Sequence, residues 1–205
     1  MPFKILDGAM GSELIRKGLI LPEHTWSADA NINNPAMVRK IHSEYVDAGA
    51  DFITTNTFRT THRAYLKTGI NKRESINIAK DSLLRAVAIA QSAADNSIMV
   101  VGSIAPLEDC YSPELFPGSN TAVDEFHILG EWLTGAGVDI LLLETMNSIE
   151  ETEAALIGIG NFGLPIWISF VLKDDHHLFS GESIARAIET VKDYSVDCVM
   201  LNCNP

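Results

Sequence analysis

Gly137-Val138-Asp139-Ile140-Leu141-Leu142-Leu143-Glu144 decides the fold. A helix-ending glycine leads through an aspartate into a short apolar run that closes on a carboxylate. The same approach to a strand recurs at Gly49-Ala50-Asp51 and at Ser195-Val196-Asp197. Turn chemistry explains such aspartates one at a time, but their recurrence marks repeated βα units. Short apolar runs rich in β-branched residues alternate with longer amphipathic stretches along the chain, which predicts a parallel sheet with helical crossovers.

Six strands are expected: Phe3 to Asp7, Asp51 to Thr55, Met99 to Ser103, Asp139 to Glu144, Ile166 to Val171 and Cys198 to Cys203. Between them, Asn34-Pro35 reads as an N-cap with proline at N1, and Val38, Ile41, Tyr45 and Val46 form an apolar stripe ending at Gly49. Ser148 to Glu151 has capping-box spacing. A helix from about Arg73 to Ala94 carries Ile76, Ala79, Leu83, Val87 and Ala90 along one face. Two loop-like insertions, Leu19 to Asn34 and Pro106 to Asn120, follow strand carboxyl sides, where parallel α/β folds bind ligands. Six units in 205 residues leave about 34 residues each, and an eight-stranded barrel of about 250 residues needs two more. The expected architecture is therefore α/β, a (β/α)8 TIM barrel with six of its eight units, as one domain over residues 1–205. An open doubly wound sheet is the competing arrangement.

Composition narrows the function. With 46% hydrophobic and 20% charged residues the chain is an ordinary globular sequence. Its formal net charge of -12, with none of the 15 lysines and arginines forming a basic cluster, argues against nucleic acid and anionic membranes as partners. No basic leader precedes an apolar stretch, and nowhere do about 18 apolar residues run together. Cys110, Cys198 and Cys203 are an odd set without framework spacing, as expected of reduced thiols in a soluble, cytoplasmic protein.

Strand alternation puts Ile5 with Asp7, Ile140 and Leu142 with Glu144, and Val199 and Leu201 with Cys203 on shared faces. In each set the polar residue comes last, so two carboxylates and a thiol are expected at strand carboxyl ends. Two carboxylates suit an acid and base pair or an ammonium group. Gly8, Ala9 and Gly11 would expose backbone N–H groups beside Asp7, suited to a carboxylate; a plain chain-reversing turn accounts for them equally. Carboxylates for an ammonium and N–H groups for a carboxylate together describe an α-amino acid.

Asp7-Gly8-Ala9-Met10-Gly11-Ser12-Glu13-Leu14, Ala50-Asp51-Phe52-Ile53-Thr54-Thr55-Asn56-Thr57-Phe58, Gly102-Ser103-Ile104-Ala105-Pro106, Leu142-Leu143-Glu144-Thr145 and Asn202-Cys203 stand in the order and spacing of the homocysteine S-methyltransferase family, which the whole chain resembles. The resemblance implies a (β/α)8 barrel in which a Zn²⁺ held by three cysteines binds homocysteine as thiolate for methylation to methionine. It makes Asp7 and Glu144 binders of the amino-acid end of homocysteine, Gly8 and Ala9 backbone donors to its carboxylate, and Cys203 the first zinc ligand and catalytic residue. The adjacent cysteine pair that completes the family's site has no counterpart here. Cys198, five residues back on the same strand, is roughly 17 Å from Cys203 at about 3.3 Å per residue and on the other face. Cys110 and His176-His177 read as loop residues, and Met200 stands where the family commonly has glycine. Trp26-Ser27-Ala28 and Asp174-Asp175-His176-His177-Leu178 resemble the branch using S-methylmethionine as donor, with Trp26 offering an aromatic face to a sulfonium.

The chain ends Leu201-Asn202-Cys203-Asn204-Pro205, and the expectation is a C-terminally incomplete barrel. It would be weakly active or inactive alone, and its open edges at the first and sixth strands would favour self-association. Two other readings stand beside it: a non-catalytic amino-acid-binding remnant or barrel-completing partner, and a barrel hydrolase using Asp7 and Glu144.

Overall fold

The three repeated aspartates make one contact three times over. The Asp51 N–H donates to Ile5 O at 2.8 Å, and Asp51 Oδ2 accepts from the Ile5 N–H at 2.8 Å. Asp139 does the same with Val100, at 2.9 and 2.7 Å, and Asp197 with Ile166, at 2.8 and 2.9 Å. Each is a two-point clamp from the residue before a strand onto the neighbouring chain segment. The Lys4 ammonium and the Ile5 N–H hold the Asp51 carboxyl below its usual range.

The computed structural model describes residues 3–95 and 97–203; Met1, Pro2, Asn96, Asn204 and Pro205 lie outside. Contacts gather into two units, Met1–Ser103 with Gly135–Asp139, and Ile104–Thr134 with Ile140–Pro205. In the first, β1 (Phe52–Thr54) runs parallel to β2 (Met99–Ile104), with Ile53 opposite Val100. Its helices are α1 (Met10–Arg16), α2 (Ala30–Asn33), α3 (Pro35–Asp47), α4 (His62–Leu66) and α5 (Lys72–Ala93). Leu14, Ala30, Val38 and Ile41 form its helical core, with Met10, Leu19 and Tyr45 against it.

In the second unit, β3 (Ile140–Met146), β4 (Ile166–Phe170) and β5 (Cys198–Leu201) are parallel neighbours in that order. Leu141 to Leu143 are 2% exposed or less, as a strand covered on both faces requires. Each such side chain stabilises the fold by about 1.5–3 kcal/mol. The helices here are α6 (Ser119–Gly135), α7 (Ile149–Ile159) and α8 (Ile184–Val191). A Cβ on Gly158 would lie 2.7 Å from Val123 O, so glycine permits the close approach of α7 to α6. The Ser148 side chain caps α7 by accepting from the Glu151 N–H at 3.3 Å, while the Glu151 carboxylate accepts from the Leu107 N–H at 2.8 Å.

Several expectations need correction. The strand expected at Phe3 to Asp7 reduces to a single bridge, Leu6 with Phe52, flanked by the Asp51 clamp on Ile5 and by the bond from the Asp7 N–H to Phe52 O. Among the described residues there are thus five strands, not six, and Leu6–Phe52 is one of three isolated bridges. Asn34 precedes Pro35 but makes no side-chain cap. Ile76 is 37% exposed and Ser75 and Ser82 are buried in its stead, since Ser82 Oγ donates to Ala28 O and accepts from Asn31. No helix among the described residues is long and apolar enough to cross a membrane.

Asp197→Ala should lower unfolding free energy by about 1–3 kcal/mol, the scale for stranding a backbone donor that bonded a carboxylate. Asp193→Ala, four residues earlier and exposed, should change it by less than about 0.5 kcal/mol. Urea denaturation of both variants measures the contrast, and equal losses would deny the clamp its role.

Candidate functional site

The Asp51 clamp fixes the path of the chain beyond Ile5. Asp7 donates its N–H to Phe52 O at 3.0 Å, and its Oδ2 accepts from the Thr54 N–H at 2.9 Å. The Asp7 side chain is 3% exposed, and His42 Nδ1, on α3, lies 4.0 Å from Oδ2, beyond hydrogen-bond range. His42 is fully buried and, among the described residues, neither ring nitrogen has a hydrogen-bond partner. Burial pushes its pKa down to about 4, so the ring beneath Asp7 is neutral at neutral pH.

Gly8 and Ala9 come next, both exposed, and lead into α1. A Cβ at Gly8 would come within 2.7 Å of Tyr45 Oη, and one at Gly11 within 2.6 Å of Trp26 Nε1. Glycine at both positions lets aromatic rings lie on the turn. Trp26 is 42% exposed and has φ of 47°. Its segment is tied down by Asn56, whose Nδ2 donates to Ser27 O at 2.8 Å and to Asn31 Oδ1 at 2.9 Å. Sequence reasoning misses Asn31 and meets Asn56 only as a letter of the Ala50 to Phe58 motif; a pair of buried asparagines breaks no hydrophobic period.

In the second unit, Glu144 and Cys203 come together around Asn202. Glu144 is half-buried near the end of β3. Thr145 is the next residue, fully buried with φ of 63°, at a register shift between Leu143 and Met146. Asn202 takes its place through its N–H to Phe170 O at 3.1 Å. Its Oδ1 accepts from Ser169 Oγ at 2.6 Å, and its Nδ2 donates to Thr145 Oγ1 at 2.8 Å and Cys203 Sγ at 3.4 Å. A longer contact of 3.5 Å reaches Glu144 Oε1. Burial first, then the Glu144 carboxylate, push the Cys203 thiol up, while a hydrogen bond from Thr145 works the other way.

The expectation that strand alternation aims Cys203 is corrected: β5 stops at Leu201, and Cys203 has φ of 50°. The contact its sulfur makes is with Asn202 Nδ2. Cys198 is half-buried at the start of β5, its thiol raised by burial and Asp197. Cys110 is buried, and its carbonyl accepts from Asn147 Nδ2 at 3.1 Å. His176 and His177 fold back on Asp174, whose Oδ1 accepts from both backbone N–H groups at 2.9 Å.

Among the described residues no group of three or more His, Cys, Asp or Glu side chains could hold a metal ion. Cys203 offers one sulfur; these residues alone do not make a zinc site.

Parallel strands with crossover helices, and polar groups at strand carboxyl ends, define an α/β protein of the kind that binds small ligands at that side of its sheet. The chain belongs to the homocysteine S-methyltransferase family, whose profile matches residues 4–205. It is 28% identical over 227 residues to homocysteine S-methyltransferase 2 of Zea mays, covering 98% of this chain and 66% of that protein. It is also 28% identical over 216 residues to homocysteine S-methyltransferase of Escherichia coli (strain K12), covering 97% and 68%. The metallated form of homocysteine methyltransferase MmuM from Escherichia coli superposes with a TM-score of 0.85 at 26% identity, over 98% of this chain and 74% of that one. The chain thus spans about two thirds of the length of these curated relatives.

His42 gives stability a pH dependence of known sign. Its pKa is 6.5 in the unfolded chain and about 4 in the fold, so between those values only the unfolded state binds the proton. Stability is then complete above pH 6.5 and falls as pH drops towards 4. His42→Leu should narrow the difference in unfolding free energy between pH 7 and pH 4.5 by about 2 kcal/mol. Urea titrations at the two pH values read it, and an unchanged gap would mean that His42 is charged in the fold.

Proposed function

We propose that this chain is the homocysteine-binding part of an enzyme that methylates homocysteine to methionine. The observation that carries the reading is the family match over residues 4–205, with Asp7, Glu144 and Cys203 each in its motif place. By those places, Asp7 and Glu144 take the ammonium end of homocysteine, and the Gly8 and Ala9 N–H groups its carboxylate. The thiol of homocysteine loses its proton to solvent, its sulfur attacks the donor's methyl carbon, and the donor sulfur leaves with the electron pair of the broken S–CH₃ bond.

S-methylmethionine is the donor we favour. The half-exposed indole of Trp26, held in a left-handed backbone conformation over Gly11, is suited to a sulfonium, since aromatic faces attract cations. The reading extends to a complete (β/α)8 barrel, a single domain over 1–205, a cytoplasmic location and a Zn²⁺ with Cys203 among its ligands. When bound, zinc would supply a deprotonated thiol. The exposed Val199 and Leu201 on β5 support self-association.

Isothermal titration with homocysteine tests the assignment. Asp7→Asn and Glu144→Gln should each weaken binding by roughly ten- to a hundredfold, the worth of a hydrogen bond to a charged group. Native affinity in both variants would overturn it. So would metal-independent hydrolytic turnover that survives Cys203→Ser, the signature of an acid and base pair acting without the thiol.

A further inference from the structure

The imidazole of His42 sits where a leucine would stabilise the fold more. It stands four residues after Val38 on the buried stripe of α3 and is itself fully buried. Among the described residues neither of its ring nitrogens has a hydrogen-bond partner. Leaving a buried polar group unsatisfied costs about 1–3 kcal/mol, and His42 carries two such atoms. Filling the core therefore does not account for a histidine here.

The group that the ring faces does account for it. Nδ1 lies 4.0 Å from Asp7 Oδ2, and the two side chains are 0% and 3% exposed. That is too long for a hydrogen bond, yet a charge and a dipole so shielded from water interact with little screening. A neutral imidazole has one N–H and one bare nitrogen, and a bond to either normally decides which is which. With no bond at either nitrogen, the nearest charge decides. A lone pair on Nδ1 would face the carboxylate acceptor to acceptor, whereas a proton there faces it as the positive end of a dipole.

The same carboxylate oxygen is already held from β1, since Oδ2 accepts from the Thr54 N–H at 2.9 Å. Two N–H groups, one from β1 and one from α3, then converge on Oδ2. The neutrality of the ring matters as much as its place. A lysine or arginine at 42 would cancel the charge of Asp7 by pairing with it; an uncharged donor steadies the carboxylate and leaves its charge for a cation. Burial keeps the ring in that uncharged form.

We propose that His42 is a positioning residue for Asp7: its ring carries the proton on Nδ1 and presents that N–H to Oδ2, so the carboxylate meets an ammonium ligand in one orientation and with its charge intact. This deepens the proposed function by naming what holds Asp7, and rests on it for the part that concerns homocysteine. His42 acts only through the carboxylate.

Proton–nitrogen correlation spectra of the histidine side chains, recorded on the unliganded protein at neutral pH, show which ring nitrogen carries the proton. His42 should be protonated at Nδ1 in the native protein, and Asp7→Ala should move the proton wholly or partly to Nε2. A native ring protonated at Nε2, or the same tautomer in Asp7→Ala, overturns the proposal. Amide exchange reads the position of the carboxylate: His42→Leu should speed exchange at Thr54 by about three- to tenfold relative to Thr55, whose N–H donates to Val101 O instead. His42→Asn keeps an amide donor near the place of Nδ1 and should bring the ratio back to within about twofold. A ratio unchanged in His42→Leu, or not recovered in His42→Asn, overturns the proposal too, and this pair carries the test should Asp7→Ala fail to fold. Homocysteine affinity, titrated separately, should fall by about three- to tenfold in His42→Leu and recover to within about twofold in His42→Asn; a native affinity in His42→Leu overturns the proposal. A native protein that binds no homocysteine while the tautomer and the Thr54 amide respond as described would sink the proposed function and leave the positioning role standing.

Discussion

A carboxylate before a strand, accepting the N–H of the same neighbouring residue whose carbonyl it engages, is the constraint on which the rest of the structure depends. Side chains alternate along a strand, so a slip of one residue would exchange its two faces. Asp51, Asp139 and Asp197 forbid that slip with two bonds each, and the bond to the carboxylate is charge-assisted. The effect is felt at the other end of each strand. With Ile5 fixed, Asp7 meets Phe52 and Thr54; with Ile166 fixed, Asn202 meets Phe170 and Ser169.

Regularity is given up where chemistry is proposed. Trp26, Thr145 and Cys203 all have positive φ, and each is held by neighbours that leave it little choice. Asn56 and Asn31 fasten the segment after Trp26, and Asn202 bridges Thr145 to Cys203. Strain of this kind persists only where surrounding contacts over-determine it. Buried polar side chains supply that determination here, because their hydrogen bonds specify direction where apolar packing specifies only volume.

Much of this is legible in the sequence, for reasons that also set the limit. The strands from Phe52 onward stand out because short apolar runs between glycines and aspartates leave few alternatives. Phe3 to Asp7 looks the same, yet only Leu6 makes a bridge, and pairing with Phe52 is a tertiary event that a local apolar run does not report. The face of α5 misleads at Ile76 because hydrophobic periodicity discounts serines, and Ser82 is buried for its hydroxyl. Asp7, Glu144 and Cys203 can be picked out as the polar residues that close apolar runs and by motif, although β3 continues to Met146 and β5 stops at Leu201. His42 could be found as well, standing four residues after Val38 in the apolar stripe of α3. Asn202 and Thr145 are visible only as letters of motifs. Their part depends on an amide's orientation and a backbone angle of 63°, neither of which has a compositional trace.

The strained threonine also bears on how this chain would respond to selection. Glycine adopts positive φ without the penalty that a β-branched residue suffers, so a library sorted only for resistance to heat would enrich glycine at 145. Such a population would gain robustness while discarding the hydroxyl that accepts from Asn202, a trade of activity for stability familiar at functional positions. Threonine at 145 is therefore a residue whose retention distinguishes selection for what the protein does from selection for how firmly it folds.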